Sequence, residues 1–246
     1  MTRSANPVTR SSRDDSARME RVLDAAADLL VRWGYRRVTV EDVARHAGVG
    51  KGTVYLHVRT KDALFLTVLL RSQRRLFSDL ADRMVAEPAA ALPWRTTRLL
   101  HDRLQADDVA RVLYLGDAEV LGRLRHEAAG TLGELARFRN DVVREHFRIL
   151  RGARLVADDL PIDEQIHSWG AVTFGFFLSG GTAGRDVDPF TPTDPARRGE
   201  LLEHALRALL AGPADPDGTA AVAGRVAELY RPLVAHIDDE WIRRVR

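Results

Sequence analysis

The residues best suited to chemistry lie in one run, Thr39-Val-Glu-Asp-Val-Ala-Arg-His-Ala-Gly-Val-Gly-Lys-Gly-Thr-Val-Tyr-Leu-His-Val-Arg-Thr-Lys61. Their chemistry is recognition, not bond-making. Lys51 can reach a guanine edge or a phosphate, and Thr53 can touch a thymine methyl or donate to phosphate. Tyr55 and His57 are natural phosphate donors, and His57 need not be charged for that role. Gly50 and Gly52 keep bulk away from the start of a helix, so its backbone can approach a duplex with N–H groups that favour phosphate. Lys61, at the start of the following helix, adds positive charge. Of 37 basic residues, only Lys51 and Lys61 are lysines, and both fall in this run.

Short helices must position these groups. Met19, Val22, Leu23, Ala26, Ala27, Leu29, Leu30 and Trp33 recur at helical spacing, which predicts a first helix over 17–33 that stops at Gly34. Thr39 is the expected N-cap of a second helix, with Asp42 at the capping-box position. Val40, Val43, Ala44 and Ala47 form its narrow apolar stripe. Gly48 suits a left-handed turn residue, and Val49 plugs the turn. A third helix over 51–57 turns Val54 and Val58 inward. That leaves Lys51, Gly52, Thr53, Tyr55 and His57 outside. Thr60 opens a long helix over 61–86 that Pro88 ends.

This stretch resembles the DNA-binding domain of TetR-family transcriptional regulators. The matching residues are Thr39, Val43-Ala44, Ala47-Gly48-Val49, Lys51-Gly-Thr-Val-Tyr55, His57 and Thr60-Lys61-Asp62-Ala-Leu64, and the resemblance is strong over roughly 17–66. It departs at Val58, where the family usually has Phe, and at Gly50, where a small polar residue is common. The resemblance implies an all-α protein: an N-terminal three-helix helix-turn-helix domain plus a larger helical ligand-binding and dimerisation domain. It implies a ligand-responsive repressor that binds a palindromic operator in double-stranded DNA as a homodimer. Phosphate contacts would map onto Thr39, Thr53, Tyr55, His57 and Lys61, base contacts onto Lys51, Gly52 and Thr53, and a further phosphate contact onto Arg45. Two alternatives share these residues. One is a helical ligand-binding or scaffolding protein with degenerate DNA binding, and the other is an activator of the same fold.

Beyond residue 86 the pattern stays helical, with helices expected near 94–105, 107–117, 120–152, 162–183, 195–211 and 218–245. Three regions follow: a disordered basic tail (1–16), the DNA-binding unit (17–62) and the regulatory unit (63–246). A small-molecule effector would draw on Trp94, His101, Tyr114, Phe138, His146, Phe147, Trp169, Phe176 and Phe177. Ser168, Ala171, Gly175 and Ser179 form a small-residue stripe on helix 162–183. With Leu202, Leu206 and Leu209 of helix 195–211 they are the expected dimer interface. Helix 218–245 covers the pocket or extends the dimer contact.

Charge separates the two functions. Residues 1–75 carry 15 Arg and Lys against 8 Asp and Glu, whereas residues 76–246 carry 22 against 27. A basic head on an acidic body confines polyanion binding to the first part. There is no cysteine, which excludes disulfides, thiol nucleophiles and cysteine-ligated zinc. Gln165–Gly184 has no charge but holds five glycines, a poor bilayer span. The paired acids Asp107-Asp108, Asp158-Asp159 and Asp238-Asp239-Glu240 fall at loop or helix ends, where acids serve as caps. No HExxH, GxSxG or Walker-type loop is present, so no enzyme, metal or cofactor is expected. Residues 1–18 lack the apolar core of a signal peptide, and the cytoplasm is the expected location.

Overall fold

The computed structural model describes residues 7–115, 129–179 and 190–245. Among them every regular element is a helix, and the sole β feature is an isolated antiparallel bridge between Val156 and Ala211. The helices are α1 (Pro7–Arg37), α2 (Val40–His46), α3 (Lys51–His57), α4 (Lys61–Ala86), α5 (Pro93–Ala106), α6 (Asp108–Leu115), α7 (Ala129–Gly152), α8 (Ile162–Ser179), α9 (Pro195–Leu210) and α10 (Ala223–Val245). Short 3-10 turns cover Pro88–Ala91 and Pro216–Ala221. The all-α expectation holds. No helix among the described residues is long and apolar enough to cross a membrane.

Three expectations need correction. The helix predicted to begin at residue 17 begins at Pro7, so residues 7–16 are helical rather than a disordered tail, and residues 1–6 lie outside the described residues. Proline is well tolerated at a helix start, where its missing N–H has no partner to lose. Trp33 lies among the exposed large side chains, whereas Tyr35 is buried in its place against Phe65, their rings 5.3 Å apart edge to face. The helix predicted over 218–245 divides into the 3-10 turn Pro216–Ala221 and α10.

Gly34 does break the helical geometry of α1, at φ 75° and ψ 158°. Its backbone lets the chain turn into α2, a conformation a Cβ would strain. Met19, Val22, Leu23, Ala26 and Leu30 of α1 meet Val43 and Ala44 of α2, Val54 of α3 and Leu64, Phe65 and Val68 of α4 in one core. α4 continues out of this core. Its second half packs along α10 and beside the Pro88–Ala91 turn. The expected boundary near residue 62 therefore falls at the start of a single helix shared by both halves.

The larger half is stitched by buried polar pairs. His146 of α7 donates from Nε2 to the Ala91 carbonyl at 2.6 Å, and its Nδ1 accepts from the Tyr230 hydroxyl of α10 at 3.0 Å. Burial pushes the His146 imidazole down to about 4, against the weaker opposing pull of the Ala91 carbonyl, so the ring is neutral at pH 7. Burial raises the Tyr230 phenol well above its usual value. α9 packs across α5 and α8. At Gly199 a Cβ would come within 2.7 Å of Arg98 and 2.8 Å of His101, which is why α9 and α5 can lie so close.

Candidate nucleic-acid interface and ligand cavity

The turn between α2 and α3 is built by the residues expected to build it. Thr39 caps α2 by accepting from Asp42 N–H at 3.1 Å, and Asp42 in return accepts from the Thr39 N–H at 3.2 Å. The Thr39 hydroxyl also donates to the Asp42 carboxylate at 2.6 Å, which holds that carboxyl below its usual range. Gly48 takes the left-handed conformation, φ 66°. Val54 and Val58 are both buried beneath α3. Val at 58 fills its position as part of the core, with its N–H bonded to the Val54 carbonyl at 3.0 Å.

The opposite face of α3 is open. Lys51 and Gly52 are exposed, Thr53 and His57 half-buried, and Tyr55 exposed. Among the described residues, and apart from its chain neighbours and the backbone of its own helix, Gly52 has no atom within 4 Å of where its Cβ would stand. A glycine inside a helix costs about 1 kcal/mol relative to alanine, and nothing within the chain requires it. Its absence of bulk matters only to something that approaches from outside. α3 starts at Gly50 without a side-chain cap. Thr60 caps α4 by accepting from the Ala63 N–H at 2.9 Å.

Several expected contacts already have partners within the chain. Lys51 is ion-paired with Glu41 of α2 across the turn and lies 5.6 Å from the centre of the Tyr55 ring. The pair lowers the Glu41 carboxyl and raises the Lys51 ammonium, chiefly through their hydrogen bond. Arg45 is exposed and paired with Asp42. Lys61 lies 4.3 Å above the Tyr35 ring and donates to the Arg36 carbonyl at 3.3 Å. Sequence reasoning missed Glu41, and it missed Leu56, whose side chain is 77% exposed on α3. The signal for Leu56 was present: its position lies outside the Val54–Val58 stripe.

A cavity of about 800 Å³ opens between α4, α5, α7, α8 and α10. Of the residues expected to contact an effector, His146, Phe147, Trp169 and Phe177 line it. Trp94, His101, Phe138 and Phe176 do not. Trp94 is buried in the core, His101 stacks on Phe177 at 6.2 Å and donates from Nδ1 to the Asp102 carboxylate at 3.1 Å, and Phe138 meets His236 edge to face at 5.7 Å. Phe176 faces a separate groove with Phe190 and Leu201. The Tyr114 side chain lies outside the described residues. Gln73, Phe77, Leu80, Thr97 and Tyr230 also line the cavity and were not foreseen. Tyr230 makes α10 part of the cavity wall.

The expected dimer stripe divides. Ala171 and Gly175 are exposed, while Ser168 and Ser179 turn their hydroxyls back to Glu164 and Phe176 carbonyls at 2.9 and 3.2 Å. Leu202 and Leu206 are fully buried inside this chain, so no partner can touch them, and Leu209 is exposed. Periodicity gave all three leucines one stripe, but α9 spends its inner part on α5 and α8. Phe174 and Leu178 stand exposed beside Ala171 and Gly175 and complete an apolar face.

Residues 22–68 match the family model for the bacterial regulatory proteins of the tetR family. The uncharacterized HTH-type transcriptional regulator YwcC of Bacillus subtilis is 35% identical over 78 residues, 31% of this chain and 35% of that protein. The HTH-type transcriptional repressor Rv1474c of Mycobacterium tuberculosis is 29% identical over 157 residues, 60% of this chain and 74% of that protein. The chain spans only 32–39% of the length of the first three curated relatives it matches. SmeT, the repressor of the Stenotrophomonas maltophilia multidrug efflux pump SmeDEF, solved as a triclosan complex, superposes with a TM-score of 0.56 at 19% identity, over 80% of this chain and 93% of that one. With α3 held outward on the Thr39 and Gly48 framework and the family's model matched over it, residues 22–68 carry the helix-turn-helix domain of the tetR-family regulatory proteins, and the helical remainder shares the fold of the SmeT repressor.

Proposed function

We propose that the protein is a cytoplasmic, ligand-responsive repressor that binds a palindromic operator as a homodimer. The observation that carries this reading is the open face of α3. Lys51, Gly52, Thr53 and Tyr55 share that face with His57, while Val54 and Val58 anchor the helix from behind. Lys51 and Thr53 read base edges, and Thr53, Tyr55, His57 and Lys61 hold phosphates. Thr39 and Arg45 join them by exchanging their Asp42 contacts for phosphate. The exposed face of Ala171, Phe174, Gly175 and Leu178, with Leu209, pairs with its copy, which sets two recognition helices against two half-sites.

The cavity takes the effector. SmeT's complex with triclosan is a precedent for a small molecule in this fold. Coupling is a matter of linkage: an effector that favours a dimer with misplaced recognition helices weakens DNA by the reciprocal factor. α4 is the transmitting element, because Arg71 on it grips α1 and Gln73 and Phe77 on it line the cavity. Footprinting on DNA from upstream of the protein's own gene tests the reading. A symmetric protected site with two chains bound supports it. An asymmetric site, or one chain per site, contradicts it.

A further inference from the structure

The cavity has a polar rim and a floor whose polar groups are almost all matched within the chain. Arg139, Asn140, Asp163 and His167 are its exposed polar lining residues. On the rim Arg144 is held by Asp163 at 2.8 Å and Asp141 at 3.4 Å. Deeper in, the Thr97 hydroxyl donates to the Pro93 carbonyl at 2.7 Å and accepts from Trp169 Nε1 at 2.9 Å. Thr173 donates to the Trp169 carbonyl at 2.8 Å, and His146 and Tyr230 satisfy each other.

Gln73 is the exception. It is 7% exposed, it lines the cavity one turn before Phe77, and its Oε1 is buried with no hydrogen-bond partner. A buried amide oxygen left unmatched is destabilising, and such groups are rare enough to need a reason. As it stands Oε1 is closed off from the cavity, and a half-turn of the terminal amide about its broad, two-fold torsion is what brings it to a bound group. None of the buried lining residues is an acid, a lysine or an arginine. A charge carried to the floor would therefore find no counter-charge, at heavy desolvation cost.

We infer that the cavity takes an uncharged, largely apolar molecule bearing one hydroxyl or amide group, and that Gln73 binds that group. The inference rests on the reading of this cavity as the effector site. The volume suits a drug-sized molecule, and the Leu76, Phe77, Leu80, Leu104 and Phe147 side chains hold its apolar body.

Four probes that share one skeleton test it: 4-phenylphenol, 4-methylbiphenyl, biphenyl-4-carboxylate and 4-biphenylmethylammonium, titrated calorimetrically into the DNA-free protein. The phenol is expected to bind about tenfold tighter than the methyl compound, and both ions more weakly than either. Gln73→Met is expected to erase the phenol's advantage and leave 4-methylbiphenyl within about twofold of its parent affinity. The ranking on the parent protein stands without any variant. Equal binding of phenol and methyl compound, an advantage that survives Gln73→Met, tighter binding of either ion, or no binding by any probe overturns the inference. A phenol that binds through Gln73 yet leaves DNA bound upholds it and overturns the effector reading instead.

Discussion

Arg71 of α4 donates to Glu20 of α1 at 2.9 Å, and the same nitrogen donates to Asp24, one turn further along α1, at 2.8 Å. Arg71 is 8% exposed, while both acids reach solvent. The buried guanidinium thus depends on two solvated carboxylates for its neutralisation. Two residues along the same helix, Gln73 lines the cavity. The grip on the DNA-binding unit and the cavity wall are therefore parts of one rigid element.

The asymmetry of burial sets the order of two substitutions. Glu20→Gln with Asp24→Asn strands a buried charge and is expected to cost about 3 kcal/mol of stability. Arg71→Met removes that charge, leaves the acids in water, and is expected to cost less than about 1.5 kcal/mol. Urea denaturation ranks them, and the reverse order would contradict the burial argument.

His146 makes stability depend on pH. Its folded value lies at about 4, below the ordinary 6.5 of the unfolded chain, so the unfolded state binds more protons between these limits. Stability from this group is complete above pH 6.5 and is lost as pH falls toward 4, by about 3 kcal/mol at most. His146→Gln is expected to flatten the slope in that window. Parallel pH profiles for parent and variant would show that the ring is not held neutral.

Gly52→Ala separates the needs of the chain from those of DNA. Alanine meets nothing within 4 Å and is the better helix former, so stability is expected to rise by about 0.5–1 kcal/mol. Affinity for operator DNA is expected to fall by about tenfold, the size of one lost base contact. A variant that is stabilised and binds DNA as well as the parent would remove the reason for glycine at this place.

The α8 face gives an oligomeric-state test. Phe174 and Leu178 are exposed in the single chain, so Phe174→Glu with Leu178→Glu should leave helicity unchanged. Sedimentation is expected to show a dimer for the parent and a monomer for the variant. A dimer that survives both charges would place the interface elsewhere.

The helix-turn-helix was legible in the sequence because its signals are local: the Thr39–Asp42 box, the left-handed Gly48 and the Val54–Val58 spacing each act within four residues. Most of the remaining errors concern long-range packing. Leu202, Leu206 and Leu209 share one apolar stripe, and periodicity does not tell which part faces the chain's own α5 and which faces outward. Gln73 was a single amide within a long apolar face, and its unmatched state depends on neighbours far along the chain. The Glu41–Lys51 pair crosses a turn whose geometry brings its partners together. The start of α1 at Pro7 was hidden because residues 7–16 are polar and show no apolar stripe.

The central claim is that the outer face of α3 reads DNA. Fluorescence anisotropy with labelled DNA from upstream of the gene tests it most directly, across a salt series, for the parent, Lys51→Ala and Tyr55→Ala. Parent binding is expected to fall steeply with salt, both variants to bind more weakly while melting like the parent, and Lys51→Ala to reduce the salt slope by about one. Parent-like affinity and salt slope in both variants would contradict the account.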